Sequence, residues 1–279
     1  GEDSVVKGFA PDFEQRRLAE FLARPRENPF FLFYNISLPH MPFFDVPERW
    51  RTMYSPDEVI LRDNVWKDGE IVRDEHWFKI YYYDYLYYKL HLPEREQLPP
   101  DFDIRTLHAL YYGMITCVDE QIGRLMEQLD DNGLSGETLL VFTSDHGDNL
   151  GSHHLFNKVT ANEESIRIPL MLHWPGRLAP RRNSTQVASL VDIVPTVLSL
   201  LGVPIPPHVQ GADLSPLVQG ERDVLDENAA FIECHSGEIA LRTPTHMYAV
   251  KSEGAPDQPT RKVTDPHYQF YDLQVDPHQ

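Results

Sequence analysis

The segment Thr138-Leu-Leu-Val-Phe-Thr-Ser-Asp145-His146-Gly147-Asp148, continued by Gly151, His153, His154 and Lys158, gathers the residue types of polar catalysis. An apolar run stops abruptly on a carboxylate and an imidazole, and a small polar loop with two more histidines follows. A buried strand that delivers such a pair to its C-terminal end puts it where open α/β sheets hold their ligand chemistry. A carboxylate oxygen beside an imidazole nitrogen is half a site for a divalent cation. Lys158, thirteen residues after Asp145, is a compact charge able to hold an anion near that cation. Each piece also has a plainer use. Asp-His-Gly often makes a turn after a strand, with Asp capping and Gly supplying a positive φ, and a lone lysine is usually solvated. What separates the two uses is the company the segment keeps along the chain.

The elements that must position these residues are legible in outline. The apolar spacing predicts a helix over 12–24 that Asp12 could cap. Phe30–Ile36 reads as a strand buried on both faces of a parallel sheet, leading to His40 between Pro39 and Pro42. Pro47 to about Lys67 reads as irregular and polar. Residues 75–91 hold Trp77, Phe78 and six tyrosines, a set that packs into the core or lines a substrate rim. Asp103–Asp130 is the longest expected helix, capped by Asp101 or Asp103 and ended by Asn132-Gly133. Its apolar residues, Leu107, Leu110, Met114, Val118, Ile122, Leu125 and Leu129 among them, recur at intervals of three and four. Strands are expected over Thr138–Ser144 and Ile168–His173. Asp192 caps a helix running to Leu201, and four short strands between Ala229 and Leu273 form a small antiparallel sheet. Cys117 falls inside the long helix as a small hydrophobe.

These stretches together resemble the sulfatase family of the alkaline phosphatase superfamily. The D-H-G strand end, G-x-H loop and downstream lysine of that family correspond to Asp145, His146, Gly147, Gly151, His153 and Lys158. Glu164-Ser-Ile-Arg167-Ile-Pro169-Leu is similar to its R-V-P-L strand, and Pro39-His40-Met-Pro42 to its P-H-x-P. Asp192-Ile-Val-Pro195-Thr196 and Tyr271-Asp-Leu-Gln-Val-Asp-Pro277 resemble its D-x-x-P-T and Y-D-L-x-x-D-P. The resemblance implies an alkaline-phosphatase-like α/β fold: a mixed, mostly parallel sheet between helices, with a small C-terminal antiparallel sheet. It divides the chain into a main domain over 1–220 and a small subdomain over 221–279. It implies a sulfuric ester hydrolase for a carbohydrate or small organic sulfate. Asp145 and His146 become metal ligands. Lys158 bridges a sulfate oxygen and the leaving oxygen, and His40 either donates to the leaving oxygen or binds sulfate. His153 shapes the pocket or touches substrate, His154 stands where the family usually has glycine, and Arg242 matches an arginine of the C-terminal sheet. Calcium is expected by family frequency, while an imidazole ligand tilts the preference toward Mn²⁺ or Zn²⁺.

The family's C/S-x-P-S-R segment, whose Cys or Ser becomes formylglycine, has no counterpart here: neither Cys117 nor Cys234 precedes Pro-Ser-Arg. The expectation is that the nucleophile lies outside this sequence, so that these 279 residues alone are inactive. A phosphonate monoester or phosphodiester hydrolase of the same superfamily, or a noncatalytic relative, stays open. The net charge of −18 argues against nucleic acid or an anionic membrane as partner, so an anionic substrate would need locally positive groups. No apolar run of about 18 residues occurs to span a bilayer. Two cysteines far apart suggest no disulfide framework.

Overall fold

The computed structural model describes residues 8–41, 46–67, 70–71, 103–158, 160–234, 237–251 and 267–279, and the statements below concern those residues. The chain divides into two compact units, Gly1–Thr138 with His153–Phe156, and Leu139–Ser152 with Asn157–Gln279.

In the first unit, helix α1 spans Ala10–Leu22 and buries Leu18 and Leu22. It starts two residues before the expected position because Pro11 sits in the first turn, where its missing N–H costs nothing. Asp12 therefore lies inside the helix, facing the positive end of the dipole, and does not cap it. Residues 30–36 form no strand. Phe31 and Phe33 are 87% and 81% exposed, whereas a strand buried on both faces was expected. Extended backbone becomes a strand only through a ladder partner, and residues 30–36 join no ladder among the described residues. The one-turn helix α2, Glu48–Arg51, buries Trp50, and two-residue strands β1, Trp66–Lys67, and β2, Glu70–Ile71, pair antiparallel. The aromatic cluster of 75–91 lies outside the described residues.

Helix α3, Arg105–Asp131, carries the core of this unit. Asp103 Oδ1 accepts the Arg105 N–H at 2.9 Å. Gly133, at φ 67°, ends the helix, with Gly133 N donating to Asp130 O and Leu134 N to Leu129 O, the paired bonds of a glycine-stopped terminus. Gly113 admits the α2 backbone: a Cβ there would overlap the Trp50 carbonyl oxygen. The buried stripe runs through Leu107, Leu110, Met114, Cys117, Gln121, Leu125 and Leu129. Gln121 is the departure, a fully buried amide where sequence favoured its neighbours Val118 and Ile122. Gln15 of α1 donates to the Gln121 carbonyl at 2.9 Å and accepts from Gln128 at 3.2 Å, so a polar seam runs between the helices. Burial pushes the Glu14 carboxyl up, and burial together with the Glu14 charge pushes the Tyr34 hydroxyl up to about 12.

In the second unit, β3, Leu140–Thr143, pairs antiparallel with β4, Leu170–His173, Leu140 opposite His173 and Thr143 opposite Leu170. Residues 144–169, with the one-turn helix α4 at Glu163–Ile166, connect them. Helix α5, Ile193–Leu200, begins on the expected aspartate. Asp192 Oδ2 accepts from Ser189 N at 2.7 Å and its Oδ1 from Ala212 N at 2.8 Å. Thr196 donates to Asp192 O and accepts from Leu214 N, which leads into helix α6, Ser215–Val218. Strands β5, Ala230–Glu233, β6, Glu238–Arg242, β7, His246–Lys251, and β8, His267–Asp272, form an antiparallel meander in sequence order. One face buries Ala240, Met247 and Ala249 against Ala161 and Ile166. The other carries the exposed cross-strand row Phe231, Leu241, Tyr248 and Phe270. No helix among the described residues is long and apolar enough to cross a membrane.

Candidate active site

The apolar run of β3 ends where Ser144 turns the chain, its hydroxyl donating to His146 O at 2.9 Å. Asp145 Oδ1 accepts the His146 N–H at 3.0 Å, which folds the carboxylate back over the next residue and sets Oδ2 3.4 Å from His146 Nε2. Two donors about 2.3 Å from one ion and at right angles to it lie about 3.3 Å apart, so the pair has the spacing of adjacent vertices of a coordination shell. His146 Nδ1 lies 2.7 Å from Gly147 O. A carbonyl can only accept, so Nδ1 carries a proton, which leaves Nε2 as the nitrogen that the neutral ring would offer to a metal. Asp145 and His146 therefore fit a divalent metal as a two-donor half-site. Among the described residues no third His, Cys, Asp or Glu joins them.

Gly147 fixes this turn. Its N–H donates to Ser165 O at 2.7 Å, and a Cβ at this position would overlap the Glu164 carbonyl oxygen. Backbone cannot yield as a flexible side chain can. Gly147→Ala is expected to cost about 1–3 kcal/mol of stability, read as a lower urea midpoint at unchanged m. An unchanged midpoint would mean the contact is looser than it stands.

The loop then returns on itself. Asp148 Oδ1 accepts from Leu150 N and Asn157 N, both at 3.0 Å. Asn149 donates twice to Asn157 O, through N and Nδ2, each at 2.8 Å, and Nδ2 also lies 3.2 Å from Thr160 Oγ1. These bonds clamp the residue before Lys158 to the residues after Gly147, so thirteen positions of sequence become a short return. Lys158 is half-buried and has no ion-pair partner among the described residues. His154 sits at φ 64°. This is the left-handed region, which a bulky residue rarely occupies.

Two predicted residues belong to the first unit. His40 is exposed, its N–H donates to Ser37 O at 3.0 Å, and its Nδ1 lies 2.6 Å from Met41 O. Like His146 it gives the Nδ1 proton to the carbonyl of the following residue and presents Nε2. His153, at φ 55°, accepts on Nε2 from Asn64 Nδ2 at 3.2 Å. Burial, with a neighbouring glutamate, pushes the Cys117 and Cys234 thiols each up to about 11, which disfavours the thiolate. Sequence reasoning passed over Asn149, whose role appears only through the clamp, and Glu163, whose partner Arg242 is 79 residues away.

The sulfatase family pattern matches residues 16–203, and the pattern described as N-sulphoglucosamine sulphohydrolase, C-terminal, matches residues 151–279. This chain belongs to the sulfatase family. As a sulfatase-family member it is similar to the ulvan-active sulfatase of Formosa agariphila, 31% identical over 257 residues that cover 87% of this chain and 43% of that protein. A solved structure in complex with its substrate D-glucosamine-2-N,6-O-disulfate aligns with a TM-score of 0.75 at 23% identity, over 100% of this chain and 66% of that one. The phosphonate monoester hydrolase of Silicibacter pomeroyi aligns with a TM-score of 0.64 at 26% identity, over 85% of this chain and 48% of that one. The chain spans about half the length of the curated relatives it matches. Its fold is the alkaline-phosphatase-like sulfatase fold, small antiparallel sheet included. Sulfatases typically work with a divalent metal and a formylglycine.

Proposed function

We propose that this chain carries the metal-binding turn and the charge-stabilising lysine of a sulfuric ester hydrolase acting on a sulfated carbohydrate or small organic sulfate. The observation that carries the reading is the Asp145–His146 pair at the end of β3, with Oδ2 and Nε2 3.4 Å apart and the imidazole Nδ1 held on the Gly147 carbonyl. A divalent metal held there supplies positive charge to the sulfate oxygens and orients the nucleophile. Asp145 contributes the anionic ligand and His146 the neutral one. Calcium is proposed on family frequency, with Mn²⁺ or Zn²⁺ favoured by the imidazole. Lys158 sets its ammonium between a nonbridging oxygen and the leaving oxygen, where charge accumulates as the bond breaks. The family resemblance gives His40 a role at the leaving oxygen or the sulfate, and His153 a role in shaping the pocket or touching substrate. The formylglycine nucleophile is proposed to stand outside these 279 residues.

Support for a carbohydrate ester comes from relatives named for ulvan and for N-acetylglucosamine-6-O-sulfate. A phosphonate monoester hydrolase is the second reading, favoured by the 26% identity to the Silicibacter enzyme. The family pattern over residues 16–203 favours sulfate. The test compares kcat/KM for an aryl sulfate and an aryl phosphonate monoester, using the full-length protein with Ca²⁺ and with Mn²⁺. The expected outcome is that sulfate leads by tenfold or more, roughly 1.4 kcal/mol of transition-state preference. A phosphonate lead of that size would reassign the reaction.

A further inference from the structure

Helix α4 lies between β6 and the metal-binding turn, and both of its flanks are tied down. On the sheet side, the Glu163 carboxylate, 6% exposed, receives the Arg242 guanidinium side-on, Nε to Oε1 at 3.0 Å and Nη2 to Oε2 at 3.2 Å. Arg242 Nη1 is anchored on Thr243 O at 2.8 Å. At the other end of β6, the buried Glu238 accepts the Ala161 N–H at 3.0 Å. Between them Ala240 and Ala161 are buried in one apolar cluster. On the site side, Ser165 O takes the Gly147 N–H, and the Glu164 carbonyl fills the space where a Gly147 side chain would stand. The Gly147 carbonyl in turn holds the His146 Nδ1 proton. The path runs from guanidinium to carboxylate, through one helical turn, to the peptide that aims the imidazole.

We infer that Arg242 and Glu163 are positioning residues for the metal ligand His146, acting through α4 and Gly147. This rests on the reading of Asp145 and His146 as metal ligands. A planar bidentate pair fixes orientation as well as distance, which a point charge cannot do. Outer partners of this kind typically change metal affinity 10–100-fold when removed.

The test uses full-length protein stripped with EDTA, titrated calorimetrically with Mn²⁺ and then with Ca²⁺. Arg242→Lys keeps the charge and loses the fork, and Glu163→Gln keeps the shape and loses the charge. Each is expected to weaken Mn²⁺ affinity 10–100-fold, and the double variant no further than either single one, because both break one strut. The melting midpoint in EDTA is read alongside as the structural control. A fall in that midpoint with unchanged affinity would make the pair a structural bond only and overturn the inference. Should Arg242→Lys fail to give folded protein, Glu163→Gln decides by the same readings. Asp145→Asn separates the two levels. If it leaves affinity intact, the metal-site reading fails. If it abolishes binding while both strut variants bind like the parent, only the positioning role fails.

Discussion

Replacing Lys158 by alanine in the full-length protein is expected to lower kcat/KM on an aryl sulfate by roughly 10²–10³-fold, the usual loss for one preorganised charge-stabilising group. The lysine is held from behind: Asp148 and Asn149 together bind the backbone of Asn157, its predecessor. On the proposed role, the benefit of a lysine carried on this clamped backbone is expected to fall in kcat. Arginine at 158 is not expected to rescue, since a planar guanidinium spreads the charge that must sit between two oxygens. Thermal stability should stay near that of the parent, because Lys158 makes no ion pair among the described residues. The checks are steady-state kinetics and a melting curve. Near-parental turnover in Lys158→Ala would make this lysine an ordinary surface cation.

Asp145→Asn acts on a different quantity. The amide keeps the shape and one oxygen but removes the negative charge, so divalent affinity is expected to drop by about 10²-fold or more, with turnover at limiting metal dropping alongside. Binding linkage turns that into stability. At a metal concentration about 100-fold above the parental dissociation constant, bound metal contributes about 2.7 kcal/mol, of which a variant binding about 100-fold more weakly keeps only about 0.4. For 279 residues that corresponds to roughly 4–5 °C in Tm. In EDTA the gap should close, because the Asp145 side chain is 83% exposed and packs against little. A variant melting below the parent by the same margin with and without metal would place Asp145 in the scaffold, away from any ion.

Local grammar was readable from sequence. The Asn132-Gly133 stop, the Asp192 helix start, the four C-terminal strands and the Asp-His turn each depend on residues within a few positions of one another. What sequence missed depends on partners. Residues 30–36 look like a buried strand by composition, yet strand status belongs to a ladder, and no ladder includes them among the described residues. The pairing of β3 with β4 is antiparallel because residues 144–169 double back as a loop, a direction that apolar composition does not encode. Gln121 was not among the expected apolar positions of the long helix, and only its packing places it in the interior. The Glu163–Arg242 pair spans 79 positions with no periodic signal to announce it. The position of the Asp145–His146 turn at the end of β3 was readable because its bonds join adjacent residues.

The meander at the C-terminus has a kinetic consequence. β5 to β6 and β6 to β7 are joined through residues 234–237 and 243–245, while β3 and β4 must close residues 144–169 before their register exists. Pairings between near neighbours form first, because the chain entropy surrendered rises with the length of the closed segment. β6 is therefore expected to be standing, with Glu238 and Arg242 at its ends, before the stretch from Ser144 to Pro169 has settled. The reactive turn would then be cast late, against a template made by the last quarter of the chain. Synthesis from the N-terminus holds that template back until the ribosome has nearly finished this stretch.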